Sequence, residues 1–141
     1  MSSIIKCVVY DFDGTLFGES LFVEGEKVLK AVQIMGIKQS MATFNPHASF
    51  YIQRYGLQSF FDKVCSGRKK DHKLGYLKSI IKHYNDNKVS LDETEVLFVD
   101  DDSENIQAVQ KMTGINCIQV DPKKGITFKE LQAFIPSLKE E

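Results

Sequence analysis

Residues 4–17 read IIKCVVYDFDGTLF. Apolar Ile4, Ile5, Val8, Val9 and Tyr10 give way abruptly to Asp11, Phe12, Asp13, Gly14 and Thr15. A short β-rich run closed by a turn signal reads as a buried strand. Its carboxyl end releases two carboxylates, at the place where open α/β sheets bind their ligands. Alternate strand residues share a face, which lets Asp11 and Asp13 serve one site. Gly14 supplies a backbone free to turn sharply. Two carboxylates this close repel unless a proton or a cation lies between them, and a hard metal ion with oxygen ligands resolves that repulsion. By itself an Asp-x-Asp-Gly string is also an ordinary strand-to-turn transition.

A second acidic strand end lies far downstream. Val96–Val99, VLFV, runs straight into Asp100, Asp101 and Asp102. Between the two ends, strand and helix patterns alternate. The spacing of Val28, Val32 and Met35 predicts a helix over 24–35, stopped by Gly36. A strand is expected over 37–44, its pattern diluted by Lys38 and Gln39, ending in Thr43, Phe44, Asn45 and Pro46. Residues 48–55 read as a short helix, and 64–66 as a short strand. Leu74, Leu77, Ile81 and Tyr84 form an apolar stripe on a helix for which Asp71 is a possible N-cap. Ser103 is placed to cap the next helix, with Ile106, Val109 and Met112 inward and Gly114 as its stop. A last strand over 115–120 is broken by Asp121-Pro122, and 128–135 reads as a C-terminal helix. Such alternation argues for a parallel sheet covered on both faces.

With 141 residues, 43% hydrophobic and 26% charged, the chain is expected to form one domain, 1–141, with a sizeable core. A net charge of -1 gives no whole-surface attraction to nucleic acid or to a membrane. No apolar segment is long enough to span a bilayer, and the first apolar run lacks a signal-peptide layout. Cys7, Cys65 and Cys117 show no metal spacing, which suggests reduced structural thiols and a cytoplasmic protein. Arg68, Lys69, Lys70, His72 and Lys73 form a basic cluster, which by itself reads as a solvated helix start.

The string DFDGTL behind a hydrophobic run resembles motif I of the haloacid dehalogenase (HAD) superfamily of phosphatases and phosphotransferases. Three further features follow in that family's order. Thr43 fits the Ser or Thr that ends the second strand. A lysine at the start of the following helix fits motif III; Lys73 is preferred because Leu77 and Ile80 follow it, with Lys70 and Lys69 as alternatives. Asp100, Asp101 and Asn105 match motif IV in its DDxxxN form.

The resemblance implies a three-layer Rossmann-like core with a mainly parallel five-stranded sheet, its first strand central. It implies Asp11 as nucleophile, Asp13 as general acid and base, and Thr15 steadying the loop near the substrate. Thr43, Asn45 and the motif III lysine would meet the phosphoryl group. Mg²⁺ would be held by Asp11, by the Asp13 backbone carbonyl and by Asp101, with Asp100 as a near neighbour and Asn105 as an orienter. Neither 18–42 nor 44–73 has room for an inserted cap domain, so the chain looks similar to the magnesium-dependent phosphatase-1 group. The expected partner is a phosphorylated substrate, bulky or macromolecular, such as a phosphoprotein or a nucleic-acid end, met by an open monomer without membrane contact. The alternatives are a catalytically weak relative serving as a binding module and a phosphoacceptor receiver domain. The second also shows an acidic pair after a strand, but only 103–141 would remain to complete it.

Overall fold

The computed structural model describes residues 4–140. Five strands form one sheet, all neighbours parallel: β1 (Cys7–Tyr10), β2 (Lys38–Thr43), β3 (Val64–Ser66), β4 (Val96–Asp100) and β5 (Asn116–Gln119), in the order β3-β2-β1-β4-β5. β1 is the central strand, with Cys7 beside both Lys38 and Val96. All four of its residues are buried, as expected of a strand covered on both faces.

The strand period of two sorts the apolar residues between two cores. Val8, Tyr10, Met41, Leu97 and Val99 pack with α1 (Val23–Ile34), α2 (Ala48–Arg54) and α5 (Phe128–Gln132). Cys7, Val9, Ala42, Val96 and Phe98 pack on the other face with α3 (Leu74–Asp86) and α4 (Ser103–Met112). The result is the three-layer α/β arrangement expected from the alternation. Among the described residues no domain is inserted between β1 and β2, where only a loop and α1 lie. Between β2 and α3 there are only α2, a short 3₁₀ turn and β3.

Several local expectations need correction. Asp102, not Ser103, caps α4: its Oδ1 accepts from the backbone N of Glu104 (2.8 Å) and Asn105 (3.3 Å). The acidic side chain thus serves donors that the first helical turn leaves orphaned. Gly114 does not stop that helix. Thr113 does, turning to extended geometry while its hydroxyl donates to the Val109 carbonyl at 2.7 Å. The C-terminal helix ends at Gln132, earlier than its apolar pattern implied. Gln39, which diluted the β2 pattern, is buried because both ends of its amide are paired. It accepts from the Tyr10 hydroxyl (2.7 Å) and donates to the Leu29 carbonyl (3.0 Å).

The three cysteines are free. Burial pushes the Cys7 and Cys117 thiols up to about 12, so neither has the thiolate character of a reactive cysteine. No helix among the described residues is long and apolar enough to cross a membrane.

Candidate active site

The site forms where β1, β2 and β4 end side by side. Asp11 follows β1, its backbone N donating to the Val99 carbonyl at 2.8 Å. The chain then wraps tightly, with the Phe12 carbonyl accepting from Leu16 (3.0 Å) and Phe17 (3.1 Å). Gly14 adopts φ +76°, and a Cβ there would lie 2.5 Å from Asp101 Oδ2. Glycine is thus required twice over, by the left-handed backbone and by the close approach of the β4 loop.

Lys73 is the hub. It is only 2% exposed, and its Nζ donates to Asp11 Oδ1 at 2.7 Å and to Asp100 Oδ2 at 2.8 Å. Nζ also stands 5.2 Å from the centre of the Phe44 ring and 5.9 Å from that of Phe98, within range of cation–π attraction. A peculiar backbone delivers it. Asp71, His72 and Lys73 have φ of 44°, 51° and 72°, three consecutive non-glycine residues in the left-handed region. Each costs roughly 1–2 kcal/mol relative to right-handed geometry. Asp71 braces the turn by accepting from Gly75 N at 3.0 Å, and a Cβ on Gly75 would sit 2.8 Å from that Oδ2. α3 therefore starts at Leu74, later than expected, and Asp71 supports it from outside the helix.

Asp100 is fully buried and satisfied by three donors: Lys73, Asn105 Nδ2 (3.1 Å) and the backbone N of Asp102 (3.0 Å). Thr43 is buried at the end of β2, and its Oγ1 accepts from Asn45 N at 3.1 Å. Asn45 Nδ2 donates to Asp13 Oδ2 at 3.1 Å, tying the β2 loop to the exposed acid of the β1 loop. Together Asp11, Asp13, Thr43, Asn45, Lys73, Asp100 and Asp101 line an open cleft of about 370 Å³.

Thr15 is the exception among the residues singled out from sequence. It has no exposed surface and lies outside the cleft lining, so in this structure it cannot touch a substrate. Its carbonyl accepts from Ile126 N at 2.9 Å, while its buried Oγ1 has no partner. Thr15 holds the loop through its backbone. Lys69 and Lys70, the alternatives to Lys73, are exposed and absent from the cleft lining. Asp100, expected only as a neighbour, is the second anchor of Lys73.

The donor set fits a divalent cation. Carboxylate oxygens of Asp11, Asp100 and Asp101 lie within 4.8 Å of one another. Against these three formal negative charges stands the single ammonium of Lys73. Asn105 Oδ1 is buried with no hydrogen-bond donor. Burial pushes the Asp11 carboxyl up to about 8, even against the pull of Lys73, and the neighbouring Asp100 adds to the rise. Burial raises Asp101 as well. A cluster that resists ionisation by itself is one that a cation would stabilise. The Asp13 side chain lies outside this group and pairs with Asn45 instead.

No family model and no curated protein matches the chain's sequence. Solved structures do match its fold. A predicted phosphatase from Clostridium acetobutylicum aligns with a TM-score of 0.71 at 14% identity, over 94% of this chain and 91% of that one. A HAD-superfamily hydrolase from Geobacter sulfurreducens aligns at 0.57 and 14% identity, over 82% and 89%. The 3-deoxy-D-manno-octulosonate 8-phosphate phosphatase from Moraxella catarrhalis was solved in complex with magnesium ion, phosphate ion and a KDO molecule; it aligns with a TM-score of 0.59 at 21% identity. That alignment covers 78% of this chain and 64% of the Moraxella protein. At such identities the likeness speaks for architecture alone: the three-layer fold is one that these phosphatases and this hydrolase share with the chain.

Proposed function

We propose that the chain is a Mg²⁺-dependent phosphomonoester hydrolase working through an aspartyl-phosphate on Asp11. The observation that carries this reading is the Asp11–Lys73–Asp100 bridge at the cleft floor, with Asp101 beside it and exposed Asp13 two residues from Asp11. Lys73 fixes one oxygen of Asp11 and leaves the other for attack on phosphorus. The new Asp11–phosphorus bond displaces the alkoxide or phenoxide, which takes a proton from Asp13. Asp13 then removes a proton from a water that attacks the acyl-phosphate, returning Asp11 and releasing inorganic phosphate. Exposure suits Asp13 to this exchange, and the Asn45 amide holds its side chain over the cleft. Thr43 and Lys73 stabilise the equatorial oxygens, where most catalysis of phosphoryl transfer lies.

Asp11 and Asp101 would hold the ion, the Asp13 carbonyl being the third protein ligand implied by the resemblance, with Asp100 close at hand. Mg²⁺ held there would supply neutralisation of the charge on the phosphoryl group. The open cleft, with no inserted domain over it among the described residues, suits a bulky phosphoester presented to an uncovered monomer. The test is hydrolysis of p-nitrophenyl phosphate with and without Mg²⁺, by the wild type and by Asp11→Asn. Metal-dependent turnover that vanishes in a folded Asp11→Asn protein is the expected result. Undiminished turnover in that variant overturns the covalent mechanism.

A further inference from the structure

Two surfaces flanking the cleft take no part in the chemistry above. The first is aromatic. α2 leaves the cleft wall just after Asn45 and Pro46, and it and its C-cap expose Phe50 (58%), Tyr51 (40%) and Tyr55 (41%). Two buried rings join these exposed ones from beneath. Phe50 and Tyr51 meet at 5.4 Å, Tyr51 and Phe12 at 5.9 Å, Phe12 stacks on Phe17 at 4.3 Å, and Phe17 meets Tyr55 at 5.0 Å. Phe12 (2% exposed) and Phe17 (5%) are core rings, so they back the exposed three from the loop that carries Asp11 and Asp13. Exposed large aromatic side chains, grouped on one short segment that follows the cleft wall, mark a binding face.

The second surface is cationic. Thr43 pairs with Ser66 across the β2–β3 ladder, and neighbouring strands lie ~4.8 Å apart. The chain from Gly67 to Lys70 therefore leaves the sheet next to Phe44 and Asn45. Arg68, Lys69 and Lys70 are exposed, and no ion pair among the described residues involves them. Since the chain as a whole carries a net charge of -1, this positive field is local to the cleft rim.

A ligand that uses both surfaces needs flat π faces and a run of negative charge. A phosphorylated residue in a peptide brings one compact charge where three exposed cations wait in a row, and an apolar partner brings none. Resting on the hydrolase reading above, we propose that the substrate is the phosphorylated end of a single-stranded nucleic acid. The terminal phosphate enters the cleft, the bases stack on Phe50 and Tyr51, and the backbone follows Arg68 to Lys70. Hydrolysis breaks the terminal P–O bond, adds water and leaves a hydroxyl end and inorganic phosphate. Stacking and backbone attraction together are how single strands are held without sequence preference.

The test compares a short end-phosphorylated oligonucleotide, a phosphoserine peptide and p-nitrophenyl phosphate. Binding is read by fluorescence anisotropy with Asp11→Asn, and turnover with the wild-type catalytic residues. Phe50→Ala combined with Tyr51→Ala should weaken strand binding ~10- to 100-fold. Replacing Arg68, Lys69 and Lys70 by Ala should lower the salt slope of log K by about 2, since each cation contributes ~0.7 on a single strand. Both variants should lower the ratio of kcat/KM on the oligonucleotide to that on p-nitrophenyl phosphate. Strand binding indifferent to both sets, or a higher kcat/KM on the phosphopeptide, overturns the proposal. Strand binding lost in both variants, with no turnover of any ester by wild type, overturns the hydrolase reading and leaves the strand-binding surface standing.

Discussion

The two ends of the sheet carry opposite kinds of cavity. At the carboxyl end the cleft is the smaller, about 370 Å³, yet it gathers buried Asp11, Thr43, Lys73, Asp100 and Asn105. At the amino end a larger hollow, about 610 Å³, is walled by Ile4, Ile5, Met35, Ile37, Phe134 and Ile135, with only Lys6 and Lys38 as charged lining. Lys6 there pairs with Glu95 at 2.7 Å with half of its own side chain in solvent, the kind of contact worth little in water. Buried charge is costly unless paired, and this fold concentrates it where three strand ends converge. Size does not identify the chemical end; the expense of the groups kept there does.

The sharpest way to break this contrast is to remove Lys73. Lys73→Ala leaves Asp11 and Asp100 buried face to face, and losing one partner of a buried pair costs about 3–5 kcal/mol. Urea unfolding should show that loss together with near-complete loss of phosphatase turnover. Retained stability would mean that solvent reaches the pair. At the opposite end Ile135, buried at 5% exposure, should behave as packing alone. Ile135→Ala should cost about 2–4 kcal/mol and leave kcat/KM on p-nitrophenyl phosphate unchanged. A large kinetic effect there would make the two ends functionally connected.

Metal sharpens the same comparison. Saturating Mg²⁺ at ~100 times Kd should stabilise the wild type by about 2.7 kcal/mol. Asp101→Ala should lose most of that shift while equalling or exceeding wild-type stability in EDTA; an undiminished shift would move the ion toward Asp100. Without metal, the Asp11 carboxyl rises from 3.8 to about 8. The folded apoprotein therefore keeps a proton that the unfolded chain has released. Its contribution is full below pH 3.8 and fades as pH rises through 8. Melting temperature in EDTA should fall across that window, and Mg²⁺ should flatten the fall. The smallest effect belongs to the Asp102 cap, where Asp102→Ala should cost ~1 kcal/mol in urea unfolding.

Much of the site was legible because the chain writes it locally. The Val8–Tyr10 and Val96–Val99 runs carry strand signals strong enough to place Asp11, Asp13 and Asp101 at strand ends. What escaped depends on distant partners. Gln39 looked like a defect in β2 until Tyr10 and the Leu29 carbonyl satisfied it. Lys73 was preferred on the Leu77 and Ile80 that follow it, a ground that Lys70 nearly shares and that says nothing of burial. The left-handed turn at 71–73 alone sends Lys73 inward, and no propensity forecasts three such residues in a row. Thr15 was placed near the substrate, yet the tight wrap of its loop buries it. Asp102 could have been preferred over Ser103 as a cap, since an aspartate caps as well as a serine.

The ladder between β1 and β4 has a consequence for how the protein is made. Cys7 lies beside Val96 and Tyr10 beside Val99, so the central strand is synthesised early and gains one of its neighbours late. Until residue 96 leaves the ribosome, β1 can pair only with β2 and presents its other edge bare. Asp100, needed for the full set of Lys73 contacts, is not yet present either. Closure over so long a stretch of chain is slow. An exposed apolar edge at the heart of the future sheet is therefore the hazard of biosynthesis, and any truncation before β4 yields a sticky fragment rather than a smaller folded domain.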